Sequence, residues 1–380
     1  MATSVRIPIT NIYMGGDYTG QIFLGAAETP LNVILDTGSS ALAIDAAKYQ
    51  PVKGDTTTDV AQTDSYGDGS TWTGAVIHTQ IAVGPRGNGA VLSNGNAAIA
   101  YQASDNMFRD ADGILGLAYA PLDDAFTMPA NTWTNRYTST QVRAGTGTTL
   151  TPYLTQLSQA QVTSDRIAFV THRSFTSVKT KDPASDLLNL GTLVVGGQDA
   201  DVADLYTGSL QSVKVVSDDW YSTQLKSVIV GGADPIAARV NGPQGMPSNS
   251  IIDSGTNSLA LSSQLLNAIL SKFSTAQQGL LYKSIYGGQL VANSDLDLSS
   301  WPTITFVLTG DKDKEDVRLD VPASNYWQLD TQNPGAAAAA ITEGQPGLAI
   351  LGLPLMNGYF TIFDGEADSG RGAVKFGQLR

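Results

Sequence analysis

The chain has 380 residues, a length that favours two domains or lobes over a single core. Only 15% of the residues are charged and 39 are glycine, so we expect a large interior with many turns, which favours β structure. The net charge of −13 argues against nucleic acid and anionic membranes as partners, and the lack of cysteine excludes disulfides, thiolate catalysis and thiolate metal sites.

Short apolar or alternating runs, bounded by turn residues, predict strands along the whole chain. In chain order the clearest are VRIPIT (5–10), TGQIFLG (19–25), LNVILD (31–36), TGAVIHTQIAVG (73–84), RIAFVTHR (166–173), GTLVVGG (191–197), YSTQLKSVIVGG (221–232), TITFVLTG (303–310) and YFTIFDG (359–365). Helical spacing occurs at residues 149–161 and 262–273, and residues 120–150 are predicted to form a long surface loop. These patterns predict an all-β fold with a few short helices.

Signals for a metal, a membrane span or export are missing from the sequence. His78 and His172 have no ligand cluster around them, so we expect neither a metal site nor a histidine-based triad. No apolar run reaches the roughly eighteen residues of a membrane helix, and the first residues lack the pattern of a secretory signal. We therefore expect a cytoplasmic protein, with a trimmed form of an exported protein as the alternative.

One short motif occurs twice. In VILDTGSSALAI (33–44) an aspartate, Asp36, ends an apolar run and is followed by hydroxyl residues and a glycine. A single copy is ordinary turn chemistry. However, SIIDSGTNSLAL (250–261) repeats the pattern around Asp253, a little over half the chain later.

A second element follows each copy in the same order. DGILGLAY (112–119) comes after the first aspartate and LAILGLPL (348–355) after the second. A duplicated pair of elements indicates two homologous lobes, each with one aspartate on a tight loop. We place the lobes at residues 1–196 and 197–380.

Two facing lobes would bring the two carboxylates together, and like charges that close share one proton. One carboxylate then acts as a base toward water and the other as an acid toward a carbonyl oxygen, with no need for a metal or another cofactor. The residues around the aspartates support this arrangement. The hydroxyls of Thr37 and Ser254 can brace the loops, and those of Ser39 and Thr256 can donate hydrogen bonds to the outer carboxylate oxygens. Gly38 and Gly255 allow backbone N–H groups to approach the carboxylates.

With these residues the chain resembles the pepsin-like aspartic peptidases nearly from end to end. Further matching motifs are YGDGSTWTG (66–74), ADGILGLAY (111–119), LVVGGQD (193–199), YTGSL (206–210), VPASNYW (321–327) and AILGLPLMNGYFTIFD (349–364). The resemblance implies a bilobal all-β fold and hydrolysis of peptide or protein substrates by a water between Asp36 and Asp253. A shared-proton pair is characteristic of that family. The resemblance also implies a flap and substrate-binding set: Tyr66, Gly67, Asp68, Ile34, Ala111 and Ile114.

Two positions depart from the family pattern, and a third differs from many animal members of the family. Ala43 replaces the tryptophan that commonly holds the flap tyrosine, and Trp72 is the candidate substitute. Ala111 replaces a large aromatic residue, so we expect a roomy pocket for large apolar P1 side chains. Asp68 is either a turn residue or an acidic group that accepts Lys at P1, as in fungal relatives with a similar flap.

The lack of cysteine makes the chain similar to the bacterial pepsin homologues called shewasins. We expect a pepstatin-sensitive monomer most active in acid, at roughly pH 3–5, because one carboxyl group must be protonated. One alternative is a catalytically dead relative that serves as a binding or inhibitor protein, but both aspartate loops and Tyr66 are intact. A carboxylate-pair glycosidase is disfavoured because the duplicated loops and the flap have no role in it.

Overall fold

The structure, a computed structural model, describes residues 4–85, 87, 89–239, 242–243, 246–312 and 315–380. It is rich in strands arranged in several sheets, with few and short helices, which confirms the predicted all-β class. The chain forms two compact units. The first contains residues up to 9, 19–166 and 193–198, and the second contains residues 10–18, 167–192 and 199–380.

These units are not contiguous in sequence and differ from the division at residues 196 and 197. Residues 10–18 and 167–192 make their contacts in the second unit. For example, the hydroxyl of Tyr18 accepts a hydrogen bond from the backbone N–H of His172 at 3.0 Å. The duplicated motifs mark the core of each unit, but they do not indicate that residues 10–18 and 167–192 belong to the second unit.

The first unit is built on one run of hydrogen-bonded strands in the order β10-β9-β5-β6-β7-β4-β8-β3-β2-β1. The strands are β1 (Val5–Thr10), β2 (Thr19–Leu24), β3 (Thr29–Asp36), β4 (Leu42–Asp45), β5 (Thr56–Ser65), β6 (Thr71–Val83), β7 (Ala90–Ala103), β8 (Gly113–Gly116), β9 (Asp124–Thr127) and β10 (Thr146–Thr149). Its helices are α1 (Thr132–Asn135), α2 (Ser139–Arg143) and α3 (Tyr153–Gln159).

The prediction of one long loop at residues 120–150 is wrong. This segment contains α1, α2 and an antiparallel pair in which β9 joins β10, with Thr127 opposite Thr146. A capping box fixes the start of α2, since Thr138 and Gln141 each accept a hydrogen bond from the other's backbone N–H. The polar residues that suggested a loop are therefore used as caps and edge-strand residues.

The remaining strands and most of the helices belong, apart from two short segments, to the second unit. The strands are β11 (Arg166–Val170), β12 (Leu190–Val195), β13 (Tyr206–Lys214), β14 (Ser222–Thr223), β15 (Leu225–Val230), β16 (Ile236–Ala237), β17 (Ser250–Ile252), β18 (Leu259–Ser262), β19 (Val291–Ala292), β20 (Ile304–Thr309), β21 (Asp316–Val321), β22 (Trp327–Leu329), β23 (Ala336–Ala339), β24 (Ile341–Gly344), β25 (Ala349–Leu351), β26 (Tyr359–Asp364) and β27 (Ala373–Leu379). The two exceptions are Arg166 of β11 and residues 193–195 of β12, which are part of the first unit. The helices are α4 (Ser263–Leu270), α5 (Thr275–Ile285), α6 (Ala323–Tyr326), α7 (Leu353–Met356) and α8 (Ala367–Gly370). The two predicted helices are present as α3 and α4.

The same four-strand pattern occurs in both units. In the first, β3 runs parallel to β8, β8 is antiparallel to β4, and β4 is parallel to β7. In the second, β17 runs parallel to β25, β25 is antiparallel to β18, and β18 is parallel to β24. Strands buried on both faces explain the continuous apolar runs before each aspartate. The internal repeat read from the sequence is therefore a repeat of strand topology.

None of the helices in the described part of the chain combines the length and the apolarity needed to span a membrane.

Candidate active site

Asp36 is the last residue of β3 and only 5% of it is exposed. One carboxylate oxygen, Oδ1, accepts a hydrogen bond from the backbone N–H of Gly38 at 2.8 Å. The other, Oδ2, accepts one from the hydroxyl of Ser39 at 2.5 Å. Both oxygens are therefore fixed by the residues that directly follow in the chain.

Asp253 has the same local surroundings in the second unit. It is 7% exposed, and its Oδ1 accepts a hydrogen bond from the N–H of Gly255 at 2.9 Å. Its Oδ2 accepts one from the hydroxyl of Thr256 at 2.6 Å. The donors thus lie two and three residues after the aspartate in both units, as the sequence predicts for Ser39 and Thr256.

The second duplicated element holds each loop by its backbone. The N–H of Leu117 donates to the carbonyl of Asp36 at 2.8 Å, and the N–H of Leu353 donates to the carbonyl of Thr256 at 2.8 Å. Thr37 and Ser254, predicted to brace the loops, are buried. Each loop is therefore fixed by its own hydroxyls and by the segment that follows β8 or β25.

A close backbone approach explains the glycine in both ILG sequences. A Cβ atom on Gly116 would lie 2.4 Å from the carbonyl carbon of Ser40, and one on Gly352 would lie 2.0 Å from the carbonyl oxygen of Thr256. No side chain fits at either position without moving the aspartate loop. Sequence reasoning found these glycines through the repeat but not their role.

Tyr66 lies at the turn that joins β5 to β6, with Ser65 paired to Thr71. Its N–H donates to the carbonyl of Ser70 at 2.9 Å, which closes the predicted flap hairpin. Gly69 has a φ of +86°, a conformation that favours glycine. Gly67 and Asp68 are exposed at the tip.

The structure shows how Tyr66 is held without a tryptophan at position 43. The indole Nε1–H of Trp72 donates to the Tyr66 hydroxyl at 3.1 Å, as the sequence suggested. Ala43 is fully buried in β4, opposite Ala98 and Ile114. The tyrosine is thus fixed from its own hairpin rather than from the strand after the aspartate loop.

The Tyr66 hydroxyl is also near the aspartate loop of its own unit. Burial, followed by the negative charges of Asp64 and Asp36, raises its pKa well above the ordinary value. The Tyr66 hydroxyl is therefore protonated at acid and at neutral pH. It also makes a hydrogen bond with Ser39, the residue that donates to Asp36.

Asp68 is engaged within the turn. One oxygen, Oδ1, accepts hydrogen bonds from the N–H of Ser70 at 2.9 Å and from its hydroxyl at 2.6 Å. The Ser70 hydroxyl bond is the main reason why the pKa of Asp68 lies below its ordinary value. The turn role is visible in the structure, and a role toward substrate stays a prediction.

Three predicted substrate-binding residues are buried in the first unit. Ile34 in β3 and Ile114 in β8 are opposite each other in the parallel pair that ends with Asp36 and Gly116. Ala111 is 2% exposed, in a turn closed by its N–H to the carbonyl of Phe108.

Sequence reasoning missed a buried carboxyl group in this unit. Asp123 is 3% exposed, and its Oδ1 accepts a hydrogen bond from the side-chain Nε2 of Gln62 at 2.7 Å. Burial raises the pKa of Asp123 to about 7 and also raises the pKa of nearby Asp64. Since Asp123 lies in the segment assigned to a loop, no sequence signal marked it.

No group of three or more His, Asp or Glu side chains suited to a metal ion is found among the described residues.

Taken with the repeated strand pattern, a braced aspartate in each of two β-rich units and a hairpin tyrosine define the class of aspartic-type hydrolases. The family model described as eukaryotic aspartyl protease matches residues 17–374, and the chain belongs to this family. It is accordingly an aspartic endopeptidase, which acts on peptide or protein substrates.

Individual relatives match at low identity over most of their length. Gastricsin of Mus musculus is 26% identical over 374 residues, which cover 93% of this chain and 79% of the relative. Gastricsin of Homo sapiens is 24% identical over 375 residues, covering 93% and 80%. Pepsin II-2/3 of Oryctolagus cuniculus is 24% identical over 374 residues, covering 93% and 79%.

Proposed function

We propose that Asp36 and Asp253 are the catalytic pair of this endopeptidase and hold the attacking water between them. One observation carries the proposal. Each carboxylate receives a backbone N–H from two residues on and a hydroxyl from three residues on, at nearly equal distances in the two units. Matching supports give the two buried carboxylates similar surroundings, as expected of partners in a shared-proton pair.

The reaction then needs no group outside this pair. The oxygen of the water attacks the carbonyl carbon of the substrate while the ionised carboxylate takes a proton from that water. The protonated carboxyl group gives its proton to the carbonyl oxygen. When the tetrahedral intermediate collapses, the C–N bond breaks and the leaving nitrogen takes a proton from the pair. One hydroxyl of the intermediate returns a proton to the pair and becomes the carbonyl oxygen of the new carboxyl group.

We also propose an acid optimum and a preference for large apolar residues at P1. The optimum follows from the need for one protonated and one ionised carboxyl group, at roughly pH 3–5. The preference is supported by the apolar character of Ile34, Ala111 and Ile114, all buried in the first unit. Pepstatin sensitivity and the cysteine-free bacterial type belong to the same proposal, while the cytoplasmic location and the monomeric state stay predictions.

The test uses a quenched fluorescent peptide with apolar residues on both sides of the cleaved bond. Asp36→Asn and Asp253→Asn should each lower kcat by about 10⁴-fold or more, because either change removes the shared proton. Asp105→Asn, at an exposed carboxylate, is the matched control and should retain full activity. Substantial turnover by either of the first two variants would disprove the assignment.

The hydroxyls provide a second, finer test. Ser39→Ala and Thr256→Ala each remove one hydrogen bond to a carboxylate. We expect both to reduce kcat about 10-fold and to shift the pH profile, since the proton distribution in the pair changes. If the two aspartates have equivalent support, the two variants should show losses of similar size.

A further inference from the structure

A surface loop in the second unit exposes two large apolar side chains in succession. Residues 171–189, all of them described, connect β11 to β12 without a strand and contain two short 3-10 turns, Pro183–Ser185 and Leu187–Asn189. Leu187 is 76% exposed, the highest value among the large apolar side chains of the described chain. Leu188 is 43% exposed. These two side chains thus present apolar surface to solvent rather than to the core.

The middle of the loop is held mainly by its own residues. The N–H of Ala184 donates to the carboxylate of Asp182 at 3.1 Å, and the N–H of Leu188 donates to that of Asp186 at 3.0 Å. The described hydrogen bonds of residues 179–188 all have their partners within residues 177–190, the last being the N–H of Leu190, which donates to the carbonyl of Leu187. Such a segment can open without disturbing a sheet.

Asn189 closes the loop at its base. It is fully buried, and its Oδ1 accepts the N–H of Ser177 at 2.6 Å. Its Nδ2 donates to the carbonyls of Ser177 at 2.8 Å and of Pro183 at 2.9 Å. The carbonyl of Asn189 accepts the N–H of Asn11 at 3.1 Å. The side chain of Asn189 therefore links this end of the loop to Ser177 and to the first 3-10 turn.

From these observations we propose that the Leu187–Leu188 peptide bond is a self-processing site, cleaved by a second copy of the chain at a rate set by Asn189. The proposal rests on the proposed preference for large apolar residues at the cleaved bond. In the reaction the oxygen of water joins the carbonyl carbon of Leu187, the C–N bond breaks and the nitrogen of Leu188 takes up a proton. The products are residues 1–187 and 188–380.

Asn189 sets the rate because the bond has to leave its 3-10 turn before it can enter an active site. When the loop opens and closes faster than it is cut, the cleavage rate follows the population of the open form. Each hydrogen bond of the Asn189 side chain shifts this equilibrium by roughly fivefold. Asn189→Ala, which removes three of them, should speed cleavage at least about 10-fold.

The experiment incubates the full-length protein at acid pH and follows its intact mass with time. We expect a cut after Leu187 whose initial rate per molecule rises with protein concentration, as required for cleavage by a second copy. Leu187→Asp should remove this cut while hydrolysis of a separate peptide is unchanged. Val91→Asp is the matched control and should be cut like wild type, because Val91 has the same 43% exposure as Leu188 but lies in the paired strand β7.

A peptide of sequence PASDLLNLG (residues 183–191) separates the two proposals. If the enzyme cuts this peptide but neither wild type nor Asn189→Ala is cut after Leu187, the self-processing proposal is wrong and the proposed function stands. If the enzyme cuts no peptide at all, the proposed function fails first. A cleavage rate per molecule that does not depend on concentration would also contradict the proposal.

Discussion

Replacing Asp123 by asparagine should remove a large part of the loss of stability that we expect between acid and neutral pH. The carboxyl group has a pKa of about 7 in the folded chain, against an ordinary value of 3.8. Between these values the folded state keeps a proton that the unfolded state has lost. Stability therefore falls as the pH rises through this window, and it stops falling above the folded pKa.

The size of the effect follows from the same two numbers. A difference of about 3 pKa units corresponds to about 4 kcal/mol in the free energy of unfolding. The side chain of the Asp123→Asn variant is neutral at every pH, and its amide oxygen can still accept the hydrogen bond that Gln62 donates in the native chain. We expect the variant to be about as stable as wild type at pH 4 and more stable at pH 7.5 by a few kcal/mol.

The assay is urea unfolding at several pH values from 4 to 8, in an Asp253→Asn background so that hydrolysis does not interfere. Asp105→Asn, at an exposed carboxylate, is the matched control and should leave the pH dependence as it is in the parent. Parallel stability curves for the parent and the Asp123→Asn variant would refute the reasoning, because the buried carboxyl group would then contribute nothing to the slope.

Three further predictions concern the flap and the aspartate loop. Trp72→Phe removes the donor to the Tyr66 hydroxyl and should lower kcat/KM about 10-fold, and an unchanged value would mean that the hydrogen bond does not position the tyrosine. At a pH above the lowered pKa of Asp68, Asp68→Ser should reduce several-fold the ratio of kcat/KM for a P1 Lys peptide to that for a P1 Leu peptide. An unchanged ratio would mean that Asp68 is only a turn residue. Gly116→Ala should destabilise the fold by about 3 kcal/mol or more in thermal unfolding, while Gly147→Ala, where no described atom lies within 4 Å of the new Cβ, should cost less than about 1 kcal/mol.

The repeat in the sequence was sufficient for the class of fold and for the two aspartate loops. Residues 33–44 and 250–261 contain their own hydrogen-bond donors, two and three positions after each aspartate. The geometry of each loop is therefore local and can be predicted from the order of its residues. Trp72 was also identifiable, because it lies on the same hairpin as Tyr66 and only a few residues away. Local contacts of this kind depend on spacing along the chain.

Other elements had weak or misleading local signals. Helix α5 buries only Leu281 and has little amphipathic pattern, so periodicity did not reveal it. The alanine run at residues 336–339 forms β23 because it pairs with β22 and β19, although alanine favours helix. In β23, therefore, tertiary pairing outweighs the intrinsic preference of the residues.

The sequence by itself therefore determined the repeated, self-braced aspartate loops, the strand-rich class and the partner of the flap tyrosine. Only the tertiary structure decided that residues 10–18 and 167–192 join the second unit, and that Asp123 is a buried carboxyl group with a raised pKa. It alone also showed that Gly116 is needed for the approach of Ser40. The physical reason is that burial and close backbone approach depend on residues far apart in the chain, and no local pattern encodes which of them will meet.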